Sequence, residues 1–189
     1  SGEIRLGDRD ITTLSVRARD ALGLAHIPED RHRRGLVLDY SIADNLILGR
    51  QREYARRGSI DRARVLADAR AAIERADIRP GDPHMPARAL SGGNQQKIVI
   101  ARALARDISV LVAAQPTRGV DVGAIEQIHA RLRAARDAGT AILLVSAELS
   151  EVLALSDRVA VMYGGRIVRV VPRAEASEER LGPLMTGAA

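Results

Sequence analysis

Apolar side chains at Val65, Ala69, Ala72, Ile73 and Ala76 fall at i, i+4, i+7, i+8 and i+11, one stripe along a helix, so residues 60–78 are predicted helical. The proline-rich segment 79–86 breaks that pattern. A second helical pattern carries Ile98, Val99, Ile100, Ala101, Ala103 and Leu104, and its start falls at the Ser-Gly-Gly of residues 91–93. A third spans residues 122–137, with Ile125, Ile128, Leu132 and Ala135 inward and Gly139 at its C-cap. Between the last two, residues 108–114 form a continuous apolar run, which predicts a buried strand, and residues 141–145 predict the next one.

Shorter signals fill the remainder. Residues 3–6 and 9–11 flank a Gly-Asp turn and read as a hairpin, and residues 22–28 as a short strand ending at Pro28. Residues 41–48 open on a Ser N-cap and carry Ile42, Leu46 and Ile47, the pattern of a short helix. A short helix over 148–155 precedes a second hairpin, 158–171, turning at Gly164 and Gly165. From residue 172 the chain is polar and is expected to be loosely held. Strand and helix in alternation after the second helix argue for an α/β protein with a parallel sheet covered by helices.

At 189 residues the chain suffices for one domain with a real core, or a core plus a small lobe. Its apolar runs are far below bilayer-spanning length and no basic-then-apolar leader opens it, the pattern of a soluble intracellular protein. Without cysteine, neither a disulfide nor a thiolate metal site is expected, and the histidines at 26, 32, 84 and 129 are not paired at ligand spacing. His26, on the strand before Pro28, reads as a core histidine rather than a ligand. The net charge of +5 comes from arginines interleaved with Asp and Glu. With no Phe or Trp to stack on bases, nucleic acid is not an expected partner.

The chemistry concentrates at residues 90–97, LSGGNQQK. A helix start leaves backbone N–H groups unpaired and carries partial positive charge, two glycines let an anion approach the backbone, and the Ser91 hydroxyl adds a donor. Asn94, Gln95 and Gln96 add neutral donors in the first turn. The same tripeptide also serves simply as an N-cap turn.

The full octapeptide resembles the signature motif of ABC transporter ATPases, in the form found in importers of simple sugars and nucleosides. Other segments agree in order: PEDR at 28–31, AAQPTRGVDVGA at 113–124 and LLVSAELSEVLALSDRVAVMYGGRI at 143–167. A phosphate loop needs G-x-x-x-x-G-K-[ST], whereas the sole lysine here is Lys97, inside the signature. Residues 1–11 resemble the hairpin after that loop and its helix, so Ser1 is read as a truncation point. The resemblance implies a partial P-loop NTPase core (residues 1–35 and 96–171), a helical subdomain with the signature (36–95) and a loose tail (172–189).

In that family the signature faces ATP lying on a partner domain, which implies trans contacts from Ser91, Gly92, Gly93, Asn94 and Gln95. The implied partners are a second nucleotide-binding domain in the same parent polypeptide, membrane-spanning permease subunits and, indirectly, a substrate-binding protein. The implied place is the cytoplasmic face of the plasma membrane. ATP and Mg²⁺ are the implied cofactors, yet the strand that should end Asp-Glu-Pro ends Ala114, Gln115, Pro116, and the switch-histidine position holds Ala147. Alanine offers no oxygen to the ion, and glutamine orients water without taking its proton. The resemblance thus implies a degenerate second domain whose own half-site is a poor catalyst. Glu29 stands where many relatives have a Mg²⁺-sensing glutamine, or is a surface acid. Asp121 matches an interdomain loop aspartate and is equally a helix N-cap. The other readings are a soluble ABC-type ATPase without a membrane partner, and a silent regulatory module.

Overall fold

The computed structural model describes residues 2–187, which form two compact units, the first ending at Leu143 and the second starting at Leu144. In the first, β1 (Arg5–Leu6) and β2 (Arg9–Asp10) make the expected hairpin, and α1 (Val16–Ala21) starts on Ser15, whose hydroxyl accepts the Ala18 N–H. The chain continues through β3 (Leu24–Ile27), a π-type turn over Arg31–Gly35 and α2 (Ile42–Leu46). A two-residue-strand hairpin, β4 (Ala55–Arg56) with β5 (Ser59–Ile60), leads into α3 (Arg62–Ala76). Then come α4 (Gly92–Ala103), β6 (Val110–Ala114) and α5 (Val122–Asp137), while β7 (Ala141–Val145) crosses the boundary between the units.

The sheet runs in the order β3-β6-β7, and β3 lies parallel to β6 with Ala25 opposite Leu111 and Ile27 opposite Ala113. Parallel neighbours so far apart in sequence require a crossover, here supplied by the helices between them. Those four residues point into the core and are buried, as is the middle of α4, where Ile98, Val99 and Ile100 are fully enclosed. Each of the isoleucine, leucine and valine side chains among them contributes about 1.5–3 kcal/mol through burial. The stripe expected on α3 is largely as read, with Val65, Ala69, Ile73 and Ala76 buried. On α5 the buried line is Ala124, Ile128 and Leu132, so Ala124 takes the place expected for Ile125.

The sheet is enclosed on one face only, which corrects two expectations. Val110 and Val112 are half-buried where a strand buried on both sides was predicted. His26, expected in the core, is exposed, because the pleat alternates side chains and Ala25 and Ile27 occupy the covered face. A continuous apolar run does not specify which of its faces a neighbour will cover.

In the second unit, α6 (Leu149–Leu155) precedes the hairpin β8 (Arg158–Tyr163) and β9 (Arg166–Pro172). Val159, Val161 and Val171 cluster with Ala176 and Leu181, and Leu149, Val152, Leu153 and Leu184 pack against them. The segment after residue 172 is therefore not loose throughout: it forms α7 (Glu178–Thr186), capped by the Ser177 hydroxyl and anchored by buried Leu181. Its few apolar residues are spaced to meet the hairpin, which bulk polarity concealed. Among the described residues no helix is long and apolar enough to cross a membrane.

Candidate functional site

Ser91 caps α4 from an extended backbone, and its hydroxyl oxygen accepts from the Asn94 N–H at 3.4 Å and from Asn94 Nδ2 at 2.9 Å. Asn94 in turn accepts the Arg79 N–H on Oδ1 at 2.8 Å. Ser91 is exposed and Gly92 half-buried, so the corner opens outward at the positive end of the helix. Gly93 is buried beneath the chain's own loop.

Both glycines are required by that loop. A Cβ on Gly92 would stand 2.7 Å from Arg31 Nη2 and 2.8 Å from the Gly119 carbonyl oxygen. One on Gly93 would stand 2.7 Å from Asp121 Oδ2 and 3.0 Å from the Ala124 Cβ. The tight approach at these positions is made by Arg31 and residues 119–124, an origin for the glycines that the motif alone does not disclose.

The three residues after Asn94 turn away from the opening. Gln95 is buried, donates from Nε2 to the Ala87 carbonyl at 3.0 Å and accepts on Oε1 from His32 Nε2 at 2.7 Å. Because the amide nitrogen is committed to Ala87, the proton in the second contact is assigned to His32 Nε2. Gln95, expected among the anion-facing residues, thus faces the core, and so does Gln96, which donates to the Pro116 carbonyl at 2.8 Å. From Gln95 to Ile100 every residue of α4 is buried, so the helix is open only over its first turn. Lys97 is also buried and donates to the Asp77 carbonyl at 2.7 Å, tying α4 to the left-handed end of α3.

At the end of β6, Ala114 is followed by Gln115 in the left-handed region at φ 49°, and Arg118 N–H closes the turn onto the Gln115 carbonyl at 3.1 Å. Such a backbone costs a non-glycine residue about 1 kcal/mol or more. No carboxylate stands at either position, and among the described residues no group of three or more His, Cys, Asp or Glu side chains is arranged to hold a metal ion. These residues do not fit a Mg²⁺ ion by themselves. Ala147 is exposed in the bend after β7, in the second unit.

Glu29 is exposed and ion-paired with Arg118. Asp121 caps α5, accepting the Ala124 N–H on Oδ1 at 3.0 Å, while its other oxygen lies against Gly93. Asp30 caps the π-type turn, and the N–H groups of Arg33 and His32 hold its carboxyl below the usual range. Two contributors escaped sequence reading, Arg31 and Arg118. Arg31 donates to carbonyls 87 and 88 residues away, a pairing without a local signal.

The ABC transporter family profile matches residues 1–118. The guanosine import ATP-binding protein NupO of Bacillus subtilis (strain 168) is 47% identical over 189 residues, which cover 99% of this chain and 37% of NupO. The nucleoside import ATP-binding protein NupA of Lactococcus lactis subsp. cremoris (strain MG1363) is 44% identical, with 99% and 37% covered. A ribose import ATP-binding protein RbsA of Streptococcus agalactiae is 37% identical, with 99% and 38% covered. The chain thus spans little more than a third of the length of these relatives. Among solved structures, the dimeric ATP-binding cassette MJ0796 in a post-hydrolysis state bound to ADP and Pi matches with a TM-score of 0.75 at 20% identity, covering 92% of this chain and 74% of that one. A nucleotide-free ATP-binding cassette from an ABC transporter gives 0.75 at 20% identity, covering 98% and 74%. The α/β fold is that of these cassettes, and with more than half of its residues matched by the family profile, this chain belongs to the ABC transporter family.

Proposed function

We propose that this chain is part of the ATP-hydrolysing component of an importer for nucleosides or simple sugars, acting with permease subunits on the cytoplasmic face of the plasma membrane. The relatives described above are named for guanosine, nucleoside and ribose import, and the two with the higher identity favour a nucleoside cargo. In this reading Ser91, Gly92, Gly93 and Asn94 meet the terminal phosphates of an ATP held by a second nucleotide-binding domain. The observation that carries it is the exposed Ser91 at the positive mouth of a 12-residue helix with Gly92 half-open beside it. Asp121 borders the same opening and would meet the partner domain.

The other half of the chemistry falls to that partner. Bound Mg²⁺ supplies charge neutralisation on the phosphates, and neither Ala114 nor Gln115 has an ionised oxygen to hold it. The strand end at Gln115 therefore contributes little to turnover, and Glu29, engaged by Arg118, acts as a link to the neighbouring loop.

Turnover of the full-length protein, assembled with its permease in vesicles, separates the two halves. Ser91→Arg fills the opening and is expected to lower ATP turnover about 100-fold or more, on the scale of losing an anion-stabilising donor. Gln115→Ala is expected to stay within about threefold, since no general base is removed. Equal losses from the two substitutions would refute the asymmetry, and ATP-driven uptake of labelled guanosine against ribose would assign the cargo.

A further inference from the structure

Arg31 leaves the π-type turn and crosses to the loop after β6, where Nη1 donates to the Arg118 carbonyl at 2.7 Å and Nη2 to the Gly119 carbonyl at 3.2 Å. Its Nη2 lies 2.7 Å, and the Gly119 oxygen 2.8 Å, from the point where a Cβ of Gly92 would stand. Guanidinium, carbonyl and glycine Cα therefore meet in one layer at the mouth of α4. The same segment holds the loop a second time through the Glu29–Arg118 ion pair, although that pair is exposed and weak. Meanwhile Arg31 Nε is buried without a partner. A buried N–H left unsatisfied opposes folding, so the side chain is fixed in place by its two terminal donors and not by satisfaction of the whole group.

The electrostatic consequence is specific. Carbonyl oxygens at a helix mouth turn negative dipole ends toward an approaching anion, against the helix dipole. A planar guanidinium bridging two successive carbonyls neutralises them and fixes their spacing, which a single ammonium does less well. We infer that Arg31 is a positioning residue that clamps residues 118–121 beside Gly92 and Gly93, so that the Ser91–Gly93 corner and Asp121 present one preformed surface to the partner's ATP. This rests on the proposed role of that corner.

The test uses the full-length protein with MgATP, measuring KM and kcat separately and amide hydrogen exchange over residues 117–124. A merely structural loss reduces the active fraction and hence kcat, leaving KM unchanged. Arg31→Met is expected to raise KM about tenfold with kcat within about threefold, the scale of one charge-assisted hydrogen bond, and to speed exchange in that loop. Arg31→Lys, which keeps charge and stem, is expected to leave KM raised and carries the test if the methionine variant does not fold. Arg33→Met, two residues along, is expected to match the parent. A KM for Arg31→Met within twofold of the parent, or full recovery by lysine, would overturn the clamp while a loss of turnover in Ser91→Arg left the corner's role intact. No loss in Ser91→Arg would overturn both.

Discussion

The mouth of α4 and the end of β6 are linked by the buried hydrogen bond from Gln96 Nε2 to Pro116 O, yet they are built differently. At the mouth, residues from the segments around 31, 79, 119 and 121 converge on Ser91 to Asn94, and two glycines are needed to admit them. At the strand end stand an alanine and a left-handed glutamine, neither of which carries an ionised oxygen. The crowded region leaves Ser91 exposed at the positive end of a helix, and the bare one offers a turn closed by the Arg118 N–H on the Gln115 carbonyl. That turn is followed directly by residues 118–121, which lie against the mouth of the helix.

If crowding defines the mouth, Gly93→Ala should be the most damaging change, driving a Cβ into Asp121 and Ala124 and costing about 2–3 kcal/mol in urea unfolding. A variant of parental stability would mean that the loop is free to retreat. Severing the link between the regions should cost less. Gln96→Leu leaves the Pro116 carbonyl buried without its donor, and a loss of about 1–2 kcal/mol is expected. The smallest effect belongs to the strand end: Gln115→Gly relieves the positive φ and should stabilise by about 0.5–1 kcal/mol, with turnover unchanged. Destabilisation there would show that the Gln115 side chain does more than occupy a turn.

Much of the first unit was legible because its signals are local. The residues of α5 fall within the bounds that periodicity predicts, and the Ser41 and Ser91 caps act as their sequence contexts imply. The segments missed are those whose order comes from elsewhere. The hairpin of β4 and β5 turns on Arg57 and Gly58 in left-handed conformations, with only two residues in each strand. The π-type turn at Arg31–Gly35 has no periodic pattern and is set by the Asp30 cap. At the site, the Ser-Gly-Gly opening was readable from its motif, whereas the inward facing of Gln95 depends on Ala87 and His32, and the clamp by Arg31 on a loop nearly ninety residues away. Sequence spacing says which side of a helix a residue occupies only once the packed side is known.

Lys97 carries the one primary side-chain amine in these 189 residues, and it is enclosed with its nitrogen on the Asp77 carbonyl. Every other basic side chain is an arginine or a histidine, neither of which is readily acylated by amine reagents. Within this stretch, acylation of a side-chain amine by an active ester would thus require α4 to part from the end of α3. The rate of label uptake at that lone position becomes a built-in clock for the opening of the junction.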